Sequence, residues 1–196
     1  MYKDFSERYY STIKEYVDFH ENGTEKTSGE ETFLGSSLMR WVFHINNIIK
    51  STQSTSLIDF GCGKAMGYNN KITADDVLYQ NVQDFWKIND VYLYDPAVKK
   101  YNKYPPKKAD GIICTDVIEH IPPEDINKFI QELYKLSNKF IFVVAATIPA
   151  EKTFKNGENV HLTIKNKNEW LDIFRSFAKQ NPGVRTFLEF NDASEK

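Results

Sequence analysis

The stretch Leu57-Ile58-Asp59-Phe60-Gly61-Cys62-Gly63-Lys64-Ala65 constrains this chain more than any other. A short apolar run, an acid at its end and two glycines one residue apart read as a buried strand entering a tight turn. Glycine has no Cβ, so such a turn lets a ligand come close to bare backbone. Ligands of open α/β sheets bind at the carboxyl ends of the strands. The segment therefore predicts an α/β fold with a nucleotide-like ligand at this turn. Neither familiar phosphate-binding pattern fits. The dinucleotide fingerprint needs a third glycine where Met66 stands, and Gly67 comes one residue late. The phosphate loop also needs glycine at that position, followed by Lys and Ser or Thr. The turn suits a ligand without a pyrophosphate.

Two more segments carry strand-end acids. Asn89-Asp90-Val91-Tyr92-Leu93-Tyr94-Asp95-Pro96 reads as a second strand closing on a carboxylate. An acid there can accept both hydroxyls of a ribose, since its two oxygens suit a diol. The gap from the glycine turn exceeds the roughly 20 residues usual for that role, and Asp-Pro is also a plain turn initiator. Ala109-Asp110-Gly111-Ile112-Ile113-Cys114-Thr115-Asp116-Val117-Ile118-Glu119-His120-Ile121-Pro122 is an apolar run between Gly and a polar cluster, hence a buried parallel strand.

On these residues the chain resembles the class I S-adenosylmethionine-dependent methyltransferases, specifically the type 11/12-like methyltransferase domains. Asp59, Gly61 and Gly63 match the family's first motif, an acid and then G-x-G-x-G, with Ala65 in place of the third glycine. Asp116 to Pro122 matches its fourth-strand motif D-V-x-E-H-I/L-P. The resemblance covers roughly 57–149. It implies a one-carbon transferase that binds S-adenosyl-L-methionine and releases S-adenosyl-L-homocysteine. It also implies one Rossmann-like α/β domain: a mostly parallel central sheet with helices on both faces, one strand of the usual seven missing, an N-terminal helical lid over 1–55 and a core over 56–196. Cofactor contacts then fall on Asp59, Gly61, Cys62, Gly63, Asp95, Pro96, Thr115, Asp116 and Val117. The residue that would read the adenine amino group is not identified.

Methyl transfer from a sulfonium is an in-line displacement that needs positioning and exclusion of water. A base is required only where the acceptor is protonated. His120 is the first choice for a catalytic residue, because an unperturbed imidazole titrates near neutrality. It can equally be a structural histidine fixing the turn before Pro122. Glu119 is expected to point away or cap the following helix. His161, in the loop after the fifth strand, is a second candidate, and Tyr9, Tyr10, Tyr16 and Phe19 read as lid or core. His20 ends a helix, where the dipole favours an imidazolium.

The remaining signals bound the answer. The chain has 196 residues, with 25 Lys and Arg against 27 Asp and Glu and a net charge of −2. No basic excess favours a polyanion. Amino-group DNA methylases end the fourth strand in [N/D/S]-P-P-[Y/F/W], unlike Thr115-Asp116-Val117-Ile118, and neither Cys62 nor Cys114 follows a proline, as the nucleophile of cytosine-C5 enzymes does. The expected acceptor is therefore a small molecule or saccharide, with RNA or protein still open and DNA disfavoured. No metal-ligand spacing such as C-x-x-C or H-E-x-x-H occurs. No apolar run of membrane-spanning length and no signal-peptide core is seen, so a cytoplasmic location is expected. A rival reading stays open, in which the fold holds the cofactor for cleavage or as a scaffold without methylating.

Along the chain, helices are expected over Asp4 to His20, from Ser36 or Ser37 through Ile49, from Thr73 through Trp86, and after Pro122. Strands are expected at Phe140 to Ala146 and Arg185 to Phe190, and Tyr101 to Lys108 is a loop where the family has its third strand.

Overall fold

The run Phe140–Ala146 is buried at every position, and only a strand covered on both faces can hold such a run. The chain builds that cover. The computed structural model describes residues 5–24 and 27–192. Two helices come first, α1 (Glu7–Asn22) and α2 (Leu38–Thr52). β1 (Ser56–Phe60) follows, then a hairpin of β2 (Ile72–Ala74) and β3 (Val77–Tyr79), the short helix α3 (Val82–Trp86) and β4 (Asp90–Tyr94). The order closes with β5 (Ala109–Thr115), α4 (Ile126–Leu136), β6 (Ser137–Ala146), α5 (Lys167–Gln180) and β7 (Arg185–Asn191).

Five strands form one sheet in the order β4-β1-β5-β6-β7, and every neighbouring pair is parallel. Strand alternation sorts the two faces. Ile58 and Phe60 face a core with α1, α4 and α5. Leu57 and Cys62 belong to a core with α2 and α3. The result is a Rossmann-like α/β fold with helices on both faces of the sheet and N-terminal helices beside it.

Three expectations need correction. The sheet has five strands, fewer than a seven-stranded sheet lacking one. The helix expected from Thr73 is instead a hairpin. Asp75 and Asp76 have φ of 50° and 60°, the left-handed pair that a two-residue I′ turn requires. This turn chemistry, with β-formers on both sides, overrides the helical spacing of Leu78, Val82 and Phe85. The helix that follows is short and starts where the Asn81 side chain accepts from the Asp84 amide. At α2, Ser37 stands at the N-cap without a side-chain capping bond.

α1 begins later than expected, and Asp4 lies outside the described residues. Its cap is Ser6, whose hydroxyl accepts from the Tyr9 amide at 3.1 Å. The Ser6 amide donates to buried Asp125 at 3.0 Å, just before α4. That contact fixes one end of α1 against the core and sets its inner face over the sheet's carboxyl edge.

Candidate functional site

β1 leads outward to β4 and β5 leads outward to β6, so the strand order reverses between β1 and β5. Such a switch point leaves a crevice beyond the carboxyl ends. A cavity of about 410 Å³ lies there, within the range of small-molecule sites. Phe60, Gly61 and Gly63 form one wall, Asp95, Pro96 and Ala97 a second, and Thr115, Asp116 and Val117 a third. α1 roofs it with Tyr9, Thr12, Ile13 and Tyr16, and residues 33–37 close the side. Of the sequence-derived candidates, Gly61, Gly63, Asp95, Pro96, Thr115, Asp116, Val117 and His120 come together on this one cavity.

Asp59 and Cys62 do not. Alternation sends Asp59 to the α2 face, where its carboxylate is 4% exposed and accepts from the Tyr68 hydroxyl at 2.9 Å. Burial pushes its pKa up to about 7, with the charge of Asp95 adding to the rise and the Tyr68 bond opposing it. The Cys62 thiol packs in the same core, and burial holds its pKa well above the ordinary thiol value. Asp59 is a structural acid behind the turn rather than a wall of the cavity.

The glycines serve a purpose the sequence did not suggest. A Cβ on Gly63, at φ +54°, would lie 2.5 Å from the Phe33 carbonyl oxygen, and one on Gly61 would lie 2.3 Å from Val117 Cγ2. The bare backbone admits the chain's own segment 33–35. The Lys64 amide donates to the Phe33 carbonyl at 3.0 Å and the Met66 amide to the Leu34 carbonyl at 2.8 Å. Ala65 takes the left-handed conformation, with φ 54°, which costs an alanine roughly 1–2 kcal/mol.

Lys64 completes this closure. Its ammonium donates to the carbonyls of Gly29 and Thr32, both at 2.6 Å, and faces His20 Nδ1 at 3.3 Å. Burial, then the Lys64 charge, pushes the His20 pKa down to about 4. His20 is therefore neutral, against the imidazolium expected at a helix end. Lys64→Met removes both carbonyl bonds and is expected to cost about 2 kcal/mol, the net worth of bonds from a charged donor. Hydrogen exchange should then speed up across 29–36 and stay slow in β6. Unchanged exchange in that loop would show that Lys64 does not hold it.

Asp95 sits at the hinge of the site. Its Oδ2 accepts from the Gly63 amide and its Oδ1 from the Ala97 amide, both at 2.9 Å. Burial raises its pKa, and these amides with that of Val98 oppose the rise. Asp116 has φ 54°, and its Oδ1 accepts from the Asn191 amide group at 3.3 Å.

His120 lies half-buried beneath α1. Its Nδ1 is 2.6 Å from the Tyr16 hydroxyl and 3.0 Å from the Val160 carbonyl. Burial pushes its pKa down to about 3, and the neighbouring His161 and Lys152 act in the same direction. The His161 ring stands 4.9 Å away, edge to face, but outside the cavity wall.

Glu119 departs furthest from expectation. It points inward at 1% exposure, with no side-chain hydrogen-bond partner for either oxygen among the described residues. Burial, then the charge of Asp116, pushes its pKa up to about 8. Glu119, the Tyr16–His120 contact and the Lys64 anchor were missed in sequence. The only local signal was Lys64 directly after the glycine pair.

Comparison with protein-family models and with curated proteins returns no match. Fold and cavity together define a Rossmann-like α/β protein with a roofed cavity at its switch point. Among the described residues no helix is long and apolar enough to cross a membrane.

Proposed function

We propose that the cavity binds S-adenosyl-L-methionine and that the chain transfers its methyl group to a small-molecule or saccharide-type acceptor. The observation that carries this reading is Asp95, on the cavity wall at the end of β4 and bonded to the Gly63 amide. A carboxylate offers about four lone-pair positions. The Gly63 and Ala97 amides take two and the Val98 amide reaches a third, which leaves one for a ribose hydroxyl. The other features fit the same ligand. Asp95 and Asp116 are acids on the walls, and Tyr9, Tyr16 and Phe33 are aromatic. Acids and aromatic faces both favour a sulfonium cation.

Bound S-adenosylmethionine would supply an activated methyl group and a good leaving group. The chain's own task is to hold the acceptor in line and to exclude water, which the α1 roof and segment 33–37 serve. His120 suits a different role from the base expected of it. An imidazole held neutral down to about pH 3 draws a proton weakly. It is a positioning group on the wall.

The test is calorimetry of S-adenosylmethionine and S-adenosylhomocysteine on the wild-type chain, Asp95→Ala and Asp95→Asn. Binding that Asp95→Ala weakens tenfold or more, about 1.4 kcal/mol, is the expected result. Asp95→Asn keeps an oxygen for the Gly63 amide and should lose less. A folded wild-type chain that binds neither compound overturns the reading. Binding followed by cofactor breakdown without an acceptor would favour the cleavage alternative.

A further inference from the structure

We propose that Glu119, His120 and His161 hold a divalent transition-metal ion beside the cavity, with His120 the ligand that reaches its wall. One ligand atom from each of the three residues lies within 4.8 Å of the other two. They arrive from two places in the chain. Glu119 and His120 sit in the one-turn 3₁₀ helix after β5. His161 comes from the loop after β6, pinned by the Thr163 amide on the Glu119 carbonyl at 2.9 Å and by the Thr163 hydroxyl on the Ile121 carbonyl at 2.7 Å.

Three independent observations point to a cation. The first is the setting of the imidazoles. His161 Nδ1 lies 2.6 Å from the Ile148 carbonyl, and His120 Nδ1 lies 3.0 Å from the Val160 carbonyl. A carbonyl only accepts, so each Nδ1 carries the proton and each Nε2 presents a lone pair. Tyr16 is consistent with this, since its hydroxyl also donates to the Val160 carbonyl at 3.1 Å. Metal-ligating histidines have this arrangement, in which a carbonyl on the far nitrogen fixes tautomer and ring. The second is Glu119, a carboxyl group buried to 1% exposure with no side-chain partner among the described residues and approached only by the Glu119 and Ala146 backbone amides. A buried carboxylate without a side-chain partner is costly to keep. The third is the spacing. Glu119 Oε1 and His161 Nε2 stand 4.0 Å apart, too far for a shared proton in a hydrogen bond. Two ligands of one tetrahedral ion, each at roughly 2.0–2.2 Å, stand about 3.4 Å apart, so this pair needs to close by only about half an ångström.

The donor set names the class of ion. Two imidazole nitrogens and one carboxylate oxygen suit zinc, cobalt, iron or manganese rather than calcium, which prefers oxygen alone. The negative charge of Asp116 reaches Glu119 and His161 and adds to the attraction for a cation. The widest pair, at up to 4.8 Å, must close by roughly 1.4 Å on loading to reach tetrahedral spacing. Three protein ligands leave coordination positions open.

The ion's role rests on the methyl-transfer reading. A metal lowers the pKa of an oxygen bound to it, which would activate a hydroxyl acceptor at the cavity wall. The acceptor would then be a hydroxyl compound. Its O–H proton passes to water, the oxygen lone pair bonds to the methyl carbon, and the C–S electron pair returns to sulfur as a neutral thioether.

The test uses the full chain stripped with chelator and titrated with Zn²⁺ by calorimetry and with Co²⁺ by visible absorption. One ion per chain is expected, with d–d bands for Co²⁺ and a higher melting temperature with Zn²⁺. Glu119→Gln, which keeps the side-chain shape, and the half-buried His161→Asn should each weaken binding at least thirtyfold and abolish the Zn²⁺-dependent rise in melting temperature. No uptake by the wild-type chain, or equal uptake by wild type and both variants, overturns the site. S-adenosylhomocysteine titration of His161→Asn separates the two readings, because its affinity should stay within threefold of wild type. Metal uptake without S-adenosylhomocysteine binding would leave the metal site standing and remove its methyl-transfer role.

Discussion

Between about pH 4 and pH 8, the stability of Asp59→Asn relative to the wild-type chain is expected to move in the variant's favour by about 4 kcal/mol. Asp59 is buried behind the glycine turn, and burial pushes its pKa up to about 7. In the unfolded chain an aspartate titrates near 4. A group whose pKa rises on folding contributes its full stability below the unfolded value. That contribution is lost as pH climbs through the folded value, because the native state must then ionise a carboxyl held away from water. Asparagine keeps an oxygen for the Tyr68 hydroxyl, 2.9 Å from Asp59 Oδ2, and never ionises. The half-buried His20 works in the opposite sense. Its pKa is pushed down to about 4, so its contribution is full above about pH 6.5 and fades as pH falls. Since His20 is present in both chains, the difference between them isolates Asp59. Urea titrations of both proteins at several pH values would measure it. A gap that stays constant across the range would mean that Asp59 titrates as an exposed acid, with water reaching it through the turn.

What the sequence made legible is what local pattern dictates. The apolar runs at Leu57, Ile112 and Phe140 became β1, β5 and β6. The acids and glycines at their carboxyl ends met on one cavity, because parallel strands of a doubly covered sheet end on the same edge. Asp95 could be read as facing the crevice at the strand ends, and it lines the cavity, because its strand-end position decides that. Asp59 could not be placed in the same way. It is one residue from the strand end, and the period of two turns it to the opposite face. The Asp75-Asp76 hairpin was hidden because its apolar residues also fall at helical spacing, and only the turn's demand for positive φ separates the two readings. The contacts that matter most for chemistry are the long-range ones. Tyr16 with His120, Glu119 with His161 and Lys64 with Gly29 each join residues far apart in the chain. No local period encodes such a meeting. Glu119 reads in sequence as pointing away or capping the next helix until the fold turns it inward.

Gly63→Val is expected to cost about 4 kcal/mol and to abolish the proposed S-adenosylmethionine binding. Two effects add. Gly63 has φ +54°, and a β-branched residue there pays at least the roughly 1–2 kcal/mol left-handed penalty of an ordinary L-residue. The new Cβ would also lie 2.5 Å from the Phe33 carbonyl oxygen and 3.4 Å from the Gly35 amide nitrogen. Both are backbone atoms, so no rotamer relieves the clash, and overpacking of this kind costs roughly 1–3 kcal/mol. The segment must lift, which strains the Lys64 amide bond to Phe33 and the Met66 amide bond to Leu34. Gly157→Val is the matched control. Gly157 has φ +83° with nothing within 4 Å of an added Cβ, so it carries the backbone penalty without the clash. Urea unfolding of both variants, together with hydrogen exchange over 33–37, measures the difference. A clearly larger loss at Gly63, with exchange accelerated across that segment, is expected. Equal losses at the two glycines would show that the segment yields at no cost, and that the turn is not kept bare for the chain's own backbone.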